Sequence, residues 1–204
     1  MMNTDFYRQD IVLENDRVKL IPVDEGITDE LRMILHDEEI TRYSGDRMKN
    51  EEDYENYIRE MKQLRAMKQG YPFIVIDKNR GGVAGTTRLG NIHFGNKRLE
   101  IGWTWYGSEY RGTGINKACK YELLKYVFET MNFNRVQFSV DHENARSQKA
   151  VLKLGATQEG VFRHNYVNAD GEGRDDVYFS IIQPEWKEIK ERFFKEYLTQ
   201  GPVV

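Results

Sequence analysis

The sequence has little cysteine and little proline, and each shortage excludes a class of structure. Cys119 is the only cysteine in 204 residues, so an internal disulfide is impossible and a metal site built on thiolates is not expected. Only four prolines are present, and no tract is rich in proline or glycine. No domain boundary is therefore apparent, which predicts a single domain over residues 1–204.

Long apolar runs and a strong charge of one sign are also missing. No apolar run approaches the roughly 18 residues of a membrane span, and the amino terminus lacks the apolar segment of a secretion signal. We therefore expect a cytoplasmic protein that has no membrane partner. The formal net charge of −3 argues against a nucleic-acid partner. A hydrophobic content of 39% and an aromatic content of 12% favour a folded globule.

Residues 100–131 have the pattern of a strand, a tight turn and a helix. Strict alternation predicts that one strand face carries Ile101, Trp103 and Trp105, and the other Glu100, Gly102, Thr104 and Tyr106.

From Asn116 onward, apolar residues recur at helical spacing, so the polar side of the predicted helix carries Lys117, Lys120, Lys125 and Glu129. Gly112 and Gly114 stand in the turn, where a missing side chain lets backbone amides point inward. A helix amino terminus that follows such a turn suits a phosphate or pyrophosphate.

The spacing of these glycines excludes two common nucleotide motifs. Lys117 occupies the third glycine position of the dinucleotide fingerprint, and the Gly-Lys-Ser/Thr ending of a Walker loop is absent. A plain strand-to-helix turn remains the alternative. The turn does resemble the pyrophosphate loop of the GNAT superfamily of acyl-CoA-dependent N-acetyltransferases, Gln/Arg-x-x-Gly-x-Gly/Ala. Asn116 departs from the last position of that pattern.

In GNAT proteins, this loop follows a strand whose splayed end receives the pantetheine arm of the coenzyme. The resemblance therefore implies acetyl-CoA as co-substrate and no metal. It also implies that a backbone N–H near the end of the strand donates to the thioester carbonyl. The implied coenzyme-binding residues of this segment are Thr104, Trp105, Tyr106, Arg111, Gly112, Thr113, Gly114, Ile115 and Asn116.

A second block of motifs makes the resemblance more specific. Asn144-x-Arg146-Ser147, then Lys-Leu-Gly at 153–155, then Glu-Gly-x-x-Arg at 159–163 occur in the order found in the ribosomal-protein N-terminal acetyltransferases, RimJ and RimL. The resemblance covers roughly residues 10–190. It implies that Asn144 contacts the pantetheine arm and that Arg146 approaches the ribose phosphate. For Arg146, a solvated helix charge is an equally good interpretation.

The order of the periodic segments predicts a mixed α/β fold with a central, mostly antiparallel sheet flanked by helices. The predicted strands are residues 17–23, 71–76, 82–89, 100–106, 135–140, 158–168 and 175–182. The predicted helices are residues 28–37, 50–69, 116–131 and a closing helix from Pro184. This order agrees with the GNAT architecture that the motifs imply, in which acyl-CoA binds where the central strands splay.

The implied reaction is transfer of an acetyl group to a primary amine by direct attack in a ternary complex. The amine must be neutral, which is easier for an α-amine of pKa about 7.7–8.0 than for a lysine-type amine near 10.4. Glu100 is the first candidate for the base, because family members often place an acidic residue in this strand. Pairing with a neighbour such as Arg88 is the alternative for Glu100, and His164 or water is the alternative base.

The departing thiolate needs a proton or a hydrogen bond. Many GNAT enzymes supply a tyrosine seven residues beyond the leading Asn, but here that position is Val151. Ser147 is the nearest hydroxyl on the same helix, and it is our candidate for an orienting donor to the sulfur. A helix-capping role is the alternative for Ser147.

The candidate acceptor-binding residues are aromatic or basic: Tyr43, Tyr71, Phe73, Arg163, His164 and Tyr166. Aromatic residues in strands are often core residues instead. Three functions remain open: acetylation of the α-amine of a protein or peptide, the same chemistry on a small amine (amino acid, polyamine or aminoglycoside), and acyl-CoA sensing without turnover. A homodimer is compatible with the family.

Overall fold

The fold was obtained as a computed structural model, which describes residues 6–23, 28–35, 42–46 and 50–198. The strands in these ranges are β1 (Leu13–Glu14), β2 (Val18–Pro22), β3 (Gly70–Asp77), β4 (Gly82–His93), β5 (Arg98–Tyr106), β6 (Arg135–Asp141), β7 (Thr157–Val167) and β8 (Gly173–Ile182). The helices are α1 (Thr28–Leu35), α2 (Glu51–Ala66), α3 (Ile115–Lys125), α4 (Ala145–Leu152) and α5 (Gln183–Phe193). A π-helical turn, Tyr126–Thr130, continues α3.

The strands form one sheet in the order β1-β2-β3-β4-β5-β6-β8-β7. Neighbouring strands are antiparallel except β5 and β6, which are parallel. The exception follows from the connection, since α3 carries the chain from the end of β5 back to the start of β6. The predicted mixed α/β fold with a mostly antiparallel sheet is confirmed.

Helices cover both faces of the sheet. The larger core cluster joins one face to α3 and α5, through residues such as Ala118, Leu123 and Trp186. The smaller cluster joins the other face to α1 and α2, through residues such as Leu31 and Ile58. We call these the α3 face and the α2 face. Within the described ranges, no helix combines the length and apolarity needed to cross a membrane.

Helix α2 begins where the sequence predicts, because Asn50 caps it. The Asn50 side chain accepts a hydrogen bond from the Asp53 N–H at 3.0 Å, and three acidic residues in the first turn favour the positive end of the helix dipole. The helix ends at Ala66, before the predicted boundary at residue 69.

Strand β5 does not alternate as the sequence predicts. The pairing of β4 with β5 shifts register between Thr86↔Trp105 and Arg88↔Gly102, and Trp103 has a positive φ of 47°. This β-bulge inserts one extra residue and exchanges the two faces beyond it. Ile101 therefore packs in the α3 cluster and Trp105 in the α2 cluster, although strict alternation places them together.

Candidate active site

Strands β5 and β6 diverge in the middle of the sheet. They pair only at Arg98↔Arg135, Leu99↔Val136 and Glu100↔Gln137, although β5 continues to Tyr106 and β6 to Asp141. On the side that faces β6, the backbone of residues 101–106 consequently has no strand partner among the described residues. The divergence opens a gap with free backbone groups along one wall.

Glu100 lies at the point where the two strands separate. The residue is 6% exposed, and its Oε2 accepts hydrogen bonds from Asn91 Nδ2 at 2.9 Å and Gln137 Nε2 at 3.0 Å. Two neutral amides thus fix the carboxylate, and no ion pair joins it to Arg88 in the part of the chain that the structure describes. Oε1 has no hydrogen-bond partner among those residues, so it remains available to a ligand.

The side chains of the three residues beyond the bulge point into the protein. The Thr104 hydroxyl lies 2.8 Å from that of Thr87. The Trp105 ring stacks on Tyr57, with ring centroids 5.0 Å apart and planes 12° apart. Tyr106 is buried in the α3 cluster. The Trp105 and Tyr106 side chains are therefore directed away from the gap, and the backbone of residues 104–106 borders it.

The turn after β5 presents backbone donors in an open cradle. Gly112 and Gly114 have positive φ values of 75° and 89°, and a Cβ added to either would meet nothing within 4 Å. Gly114 is the N-cap of α3, and no side chain of the described residues caps this helix end. The first amides of α3 are thus free to bind an anion, which fits the pyrophosphate of acetyl-CoA.

The residues around these glycines hold the turn in place. Arg111 Nε donates to the Tyr106 carbonyl at 3.1 Å, and the Thr113 hydroxyl donates to the Tyr110 carbonyl at 2.7 Å. Ile115 is 1% exposed and belongs to the core, so only its backbone can reach a phosphate. Asn116 is half-buried at the start of the helix.

Helix α4 is capped by Asn144 rather than by Ser147. Asn144 is the capping residue, because its Oδ1 accepts a hydrogen bond from the Ser147 N–H at 3.0 Å. Ser147 lies in the first turn, and its half-buried hydroxyl has no hydrogen-bond partner among the described residues. Val151, at the position where many GNAT enzymes have a tyrosine, packs in the α3 cluster.

A cleft of about 260 Å³ lies beside the start of α4. Its walls bring the predicted acceptor residue Tyr43 together with the predicted coenzyme residues Asn144 and Arg146. Arg42 and Glu143 also line it, although no motif in the sequence singles out either residue. The loop that carries Tyr43 is held against the end of β7, since the Ala169 N–H donates to the Ser44 carbonyl at 3.3 Å.

Tyr166 belongs to a polar network at the end of β6. Its hydroxyl donates to Asp141 Oδ2 at 2.6 Å, and Arg174 Nε donates to the same oxygen at 3.0 Å. Burial alone would raise the pKa of Asp141, but the hydrogen bonds from Arg174 and Tyr166 lower it. Arg174 also pairs with Glu143 at 2.8 Å, so the network fixes one wall of the cleft.

Four predicted acceptor residues lie away from the gap. Tyr71 and Phe73 are 0% exposed, because both faces of β3 are covered, and the Tyr71 hydroxyl is bonded to the backbone of residues 9 and 11. Arg163 and His164 are exposed on β7, which is two strand positions beyond β6, or about 10 Å away. The prediction that Tyr71 and Phe73 line an accessible pocket is therefore wrong in this structure, and His164 is not placed to act as the base.

Comparison with known proteins decides the family. The family model described as an acetyltransferase (GNAT) domain matches residues 17–157. The chain belongs to the GNAT acetyltransferase family. Members of this family are acyltransferases.

Individual relatives agree with this assignment. YdaF of Bacillus subtilis (strain 168), provisionally named a ribosomal N-acetyltransferase, is 34% identical over 108 residues, which are 52% of this chain and 57% of YdaF. The ribosomal protein uS5-alanine N-acetyltransferase of Escherichia coli (strain K12) is 25% identical over 122 residues, 58% of this chain and 62% of that enzyme. The chain thus spans less than two thirds of the length of both relatives.

The fold agrees with solved structures over most of the chain. A GCN5-related N-acetyltransferase from Brucella melitensis superposes with a TM-score of 0.84, over 94% of this chain and 87% of that one, at 24% identity. At this identity the likeness establishes the fold and nothing finer.

This GNAT domain buries a lysine beneath the bulged part of β5. Helical periodicity predicts Lys120 on the polar side of its helix, but the side chain turns inward and the residue is 4% exposed. Its ammonium donates to the hydroxyls of Thr87 at 3.0 Å and Thr104 at 2.5 Å. Burial lowers the pKa of Lys120 to about 8, because its partners are neutral hydroxyls rather than carboxylates.

Replacing Lys120 with methionine is expected to remove a pH dependence from the stability of the domain. Because the folded-state pKa of about 8 lies below the ordinary 10.5, the unfolded chain binds more protons between these values. The free energy of unfolding of the wild type therefore rises, relative to Lys120→Met, as the pH increases through this window. Below pH 8 the full cost of burying the charge is present, about 3 kcal/mol.

Denaturant titrations of both proteins at pH 7 and pH 10 measure this effect. The contributions of groups that titrate alike in both proteins cancel in the difference, which leaves Lys120 and the Cys119 thiol that interacts with it. If the two proteins differ in free energy of unfolding by the same amount at pH 7 and pH 10, Lys120 is not a buried ammonium.

Proposed function

We propose that this GNAT domain transfers the acetyl group of acetyl-CoA to the α-amine of a protein or peptide N terminus, by direct attack in a ternary complex. The observation that carries the proposal is the gap between β5 and β6, with Glu100 at its closed end and the glycine turn beyond its open end. The names of YdaF and of the E. coli relative refer to ribosomal acceptors, which supports a polypeptide substrate.

The roles of the chain's residues follow from their positions. Acetyl-CoA supplies the acetyl group as a thioester. The amides of Gly114 and the first turn of α3 bind its pyrophosphate, and Asn144 and Arg146 contact the rest of the coenzyme from α4. Backbone N–H groups in the unpaired part of β5 donate to the carbonyl oxygen, where negative charge develops.

Proton movements are assigned to two side chains. The amine nitrogen forms a bond to the acetyl carbon while the carbon–sulfur bond breaks, so the amine loses one proton and the sulfur gains one. Oε1 of Glu100 accepts the proton of the amine, directly or through water. The Ser147 hydroxyl donates a hydrogen bond to the departing sulfur, which is finally protonated from solvent. Holding the two reactants in attack geometry contributes several kcal/mol more, about 7–11 in well-oriented systems.

An α-amine suits this arrangement better than a lysine side chain. At pH 7 about a tenth of an α-amine of pKa near 8 is already neutral, against less than about a thousandth of an amine near 10.4. A single carboxylate is therefore a sufficient base for the α-amine.

The test is release of free thiol from acetyl-CoA with a panel of amines. The panel contains peptides with different first residues, polyamines, aminoglycosides and free amino acids, and calorimetry measures CoA binding beside it. Release with peptides whose α-amine is free, and not with the same peptides after N-terminal blocking, supports the proposal. Release only with small amines moves the same chemistry to that substrate class, and CoA binding without release from any amine favours an acyl-CoA sensor.

A further inference from the structure

Two glycines leave the α2 face of the sheet flat beside the gap. Gly70 and Gly90 are paired across β3 and β4, and Gly90 is paired with Glu100 on β5. A Cβ added to Gly90 would lie 2.4 Å from the Trp103 ring, and one added to Gly70 would lie 3.2 Å from Arg88 Cδ. The Trp103 ring and the stem of Arg88 therefore rest directly on the sheet backbone, where any larger residue would displace them.

Arg88 is half-buried on this part of the sheet, and no described carboxylate forms an ion pair with its guanidinium. Its guanidinium carbon lies 3.6 Å from the centre of the Trp103 ring, yet it forms no hydrogen bond or ion pair with any residue that the structure describes. Burial lowers the pKa of Arg88, and the carboxylates of Asp46 and Glu100 only partly offset this from a distance. Removing a guanidinium from water without an acceptor is costly, so an acceptor supplied by a ligand would stabilise this arrangement.

Arg88 lies where it could contact the acceptor, and not where it could contact the coenzyme phosphates. Arg88 is paired with Gly102, and Gly90 with Glu100, so Arg88 and Glu100 are diagonal neighbours on one face, about 7–8 Å apart between backbones. The phosphate-binding turn follows Tyr106 and opens onto α3, which packs on the opposite face. An anion at Arg88 would thus lie beside the base and away from the pyrophosphate.

We infer that Arg88 binds a carboxylate of the acceptor while Glu100 faces the acceptor's amine. A planar guanidinium that stacks on an aromatic ring and keeps its donors free matches a carboxylate, which it can bind through two parallel hydrogen bonds. The favoured acceptor then carries a carboxylate close to the reacting amine. Two sources have this chemistry: the α-carboxylate of a free amino acid, and an acidic second residue of a peptide. This inference rests on the proposed function and names its substrate class.

Two matched pairs of acceptors separate the sources. Alanine is compared with alaninamide, and Ala-Asp-amide with Ala-Asn-amide, by kcat/KM from thiol release with wild type, Arg88→Gln and Arg88→Lys. The wild type is expected to prefer the carboxylate member of one pair by about 10- to 100-fold, and that pair identifies the source. Arg88→Gln is expected to lose the preference, whereas Arg88→Lys retains part of it because the charge remains and the planar fork is lost.

Arg192→Gln is the matched control, because it removes the same charge from an exposed position on α5. It should keep the wild-type preference. Equal kcat/KM within both pairs for the wild type, or an unchanged preference in Arg88→Gln, overturns the inference. Either result leaves the proposed function intact as long as thiol is still released with the peptide pair.

If the wild type releases no thiol with any amine, the proposed function is wrong. A second measurement then tests the role of Arg88 by itself. Calorimetry of the same four compounds against the CoA-loaded protein then reports binding alone. Binding of a carboxylate member that Arg88→Gln weakens about 10-fold or more supports the inference. Binding that does not distinguish the members of either pair overturns it. Circular dichroism confirms that each variant is folded.

Discussion

Gly114→Val is expected to weaken CoA binding by at least about 100-fold, which corresponds to the loss of two or more charge-assisted hydrogen bonds from the turn to the pyrophosphate. Gly114 has a φ of 89°, which a β-branched residue adopts only at a cost of roughly 1–2 kcal/mol or more. The added side chain also stands in open space above the amides, where the phosphate must approach. Calorimetric titration with CoA measures the change.

Gly171→Val separates this effect from backbone strain. Gly171 has a φ of 87° and equally open surroundings, but it lies in the turn between β7 and β8. Both variants therefore lose comparable free energy of unfolding, and only Gly114→Val is expected to lose CoA affinity. Unchanged CoA affinity in Gly114→Val would remove the turn from the binding site.

The order of the elements and their type were predictable because periodicity is a local property. Every predicted strand and helix in the described ranges has a counterpart in the structure, from the short strand β2 to the closing helix α5. Residues 42–46, which include Tyr43, lie in a turn outside the helices and strands. Boundaries were less predictable: β4 continues to His93, since its pairing with β5 extends beyond the predicted end at residue 89.

The bulge at Trp103 was not predictable from alternation. A one-residue insertion leaves the pattern of apolar residues in β5 unchanged and reverses which face each later residue occupies. The bulge is accommodated by Gly90 on the neighbouring strand, whose missing side chain makes room for the Trp103 ring. Such a pairing between β4 and β5 is a tertiary relation, and the sequence of either strand alone does not contain it.

The same limit explains the candidate site residues. The glycine turn and the helix that follows it are local features, and the sequence placed them together. Tyr71 and Phe73 have the residue types of a pocket, but burial of both faces of β3 makes them core residues. Lys120 has the residue type of a solvated helix face, but two threonine hydroxyls on β4 and β5 hold it inside. Residue type therefore indicated chemistry without indicating exposure.

Glu100→Gln is expected to reduce kcat by roughly 100-fold or more with little change in CoA affinity. The substitution keeps the shape of the side chain, and the new carbonyl oxygen can still accept from Asn91 and Gln137. What it removes is the basic oxygen that faces the amine. Raising the pH from 7 to 9 should restore part of the lost rate, because solvent then supplies the neutral α-amine that Glu100 otherwise generates.

Glu122→Gln is the matched control for this prediction, because Glu122 is an equally buried carboxylate that bonds to Asn15 on the α3 face. It should leave kcat within a few-fold of the wild type. An active Glu100→Gln variant would assign proton removal to water. A variant that is slow at every pH would show instead that the negative charge of Glu100 holds the ammonium group of the acceptor in place. Deprotonating the amine at high pH would not replace that electrostatic contact.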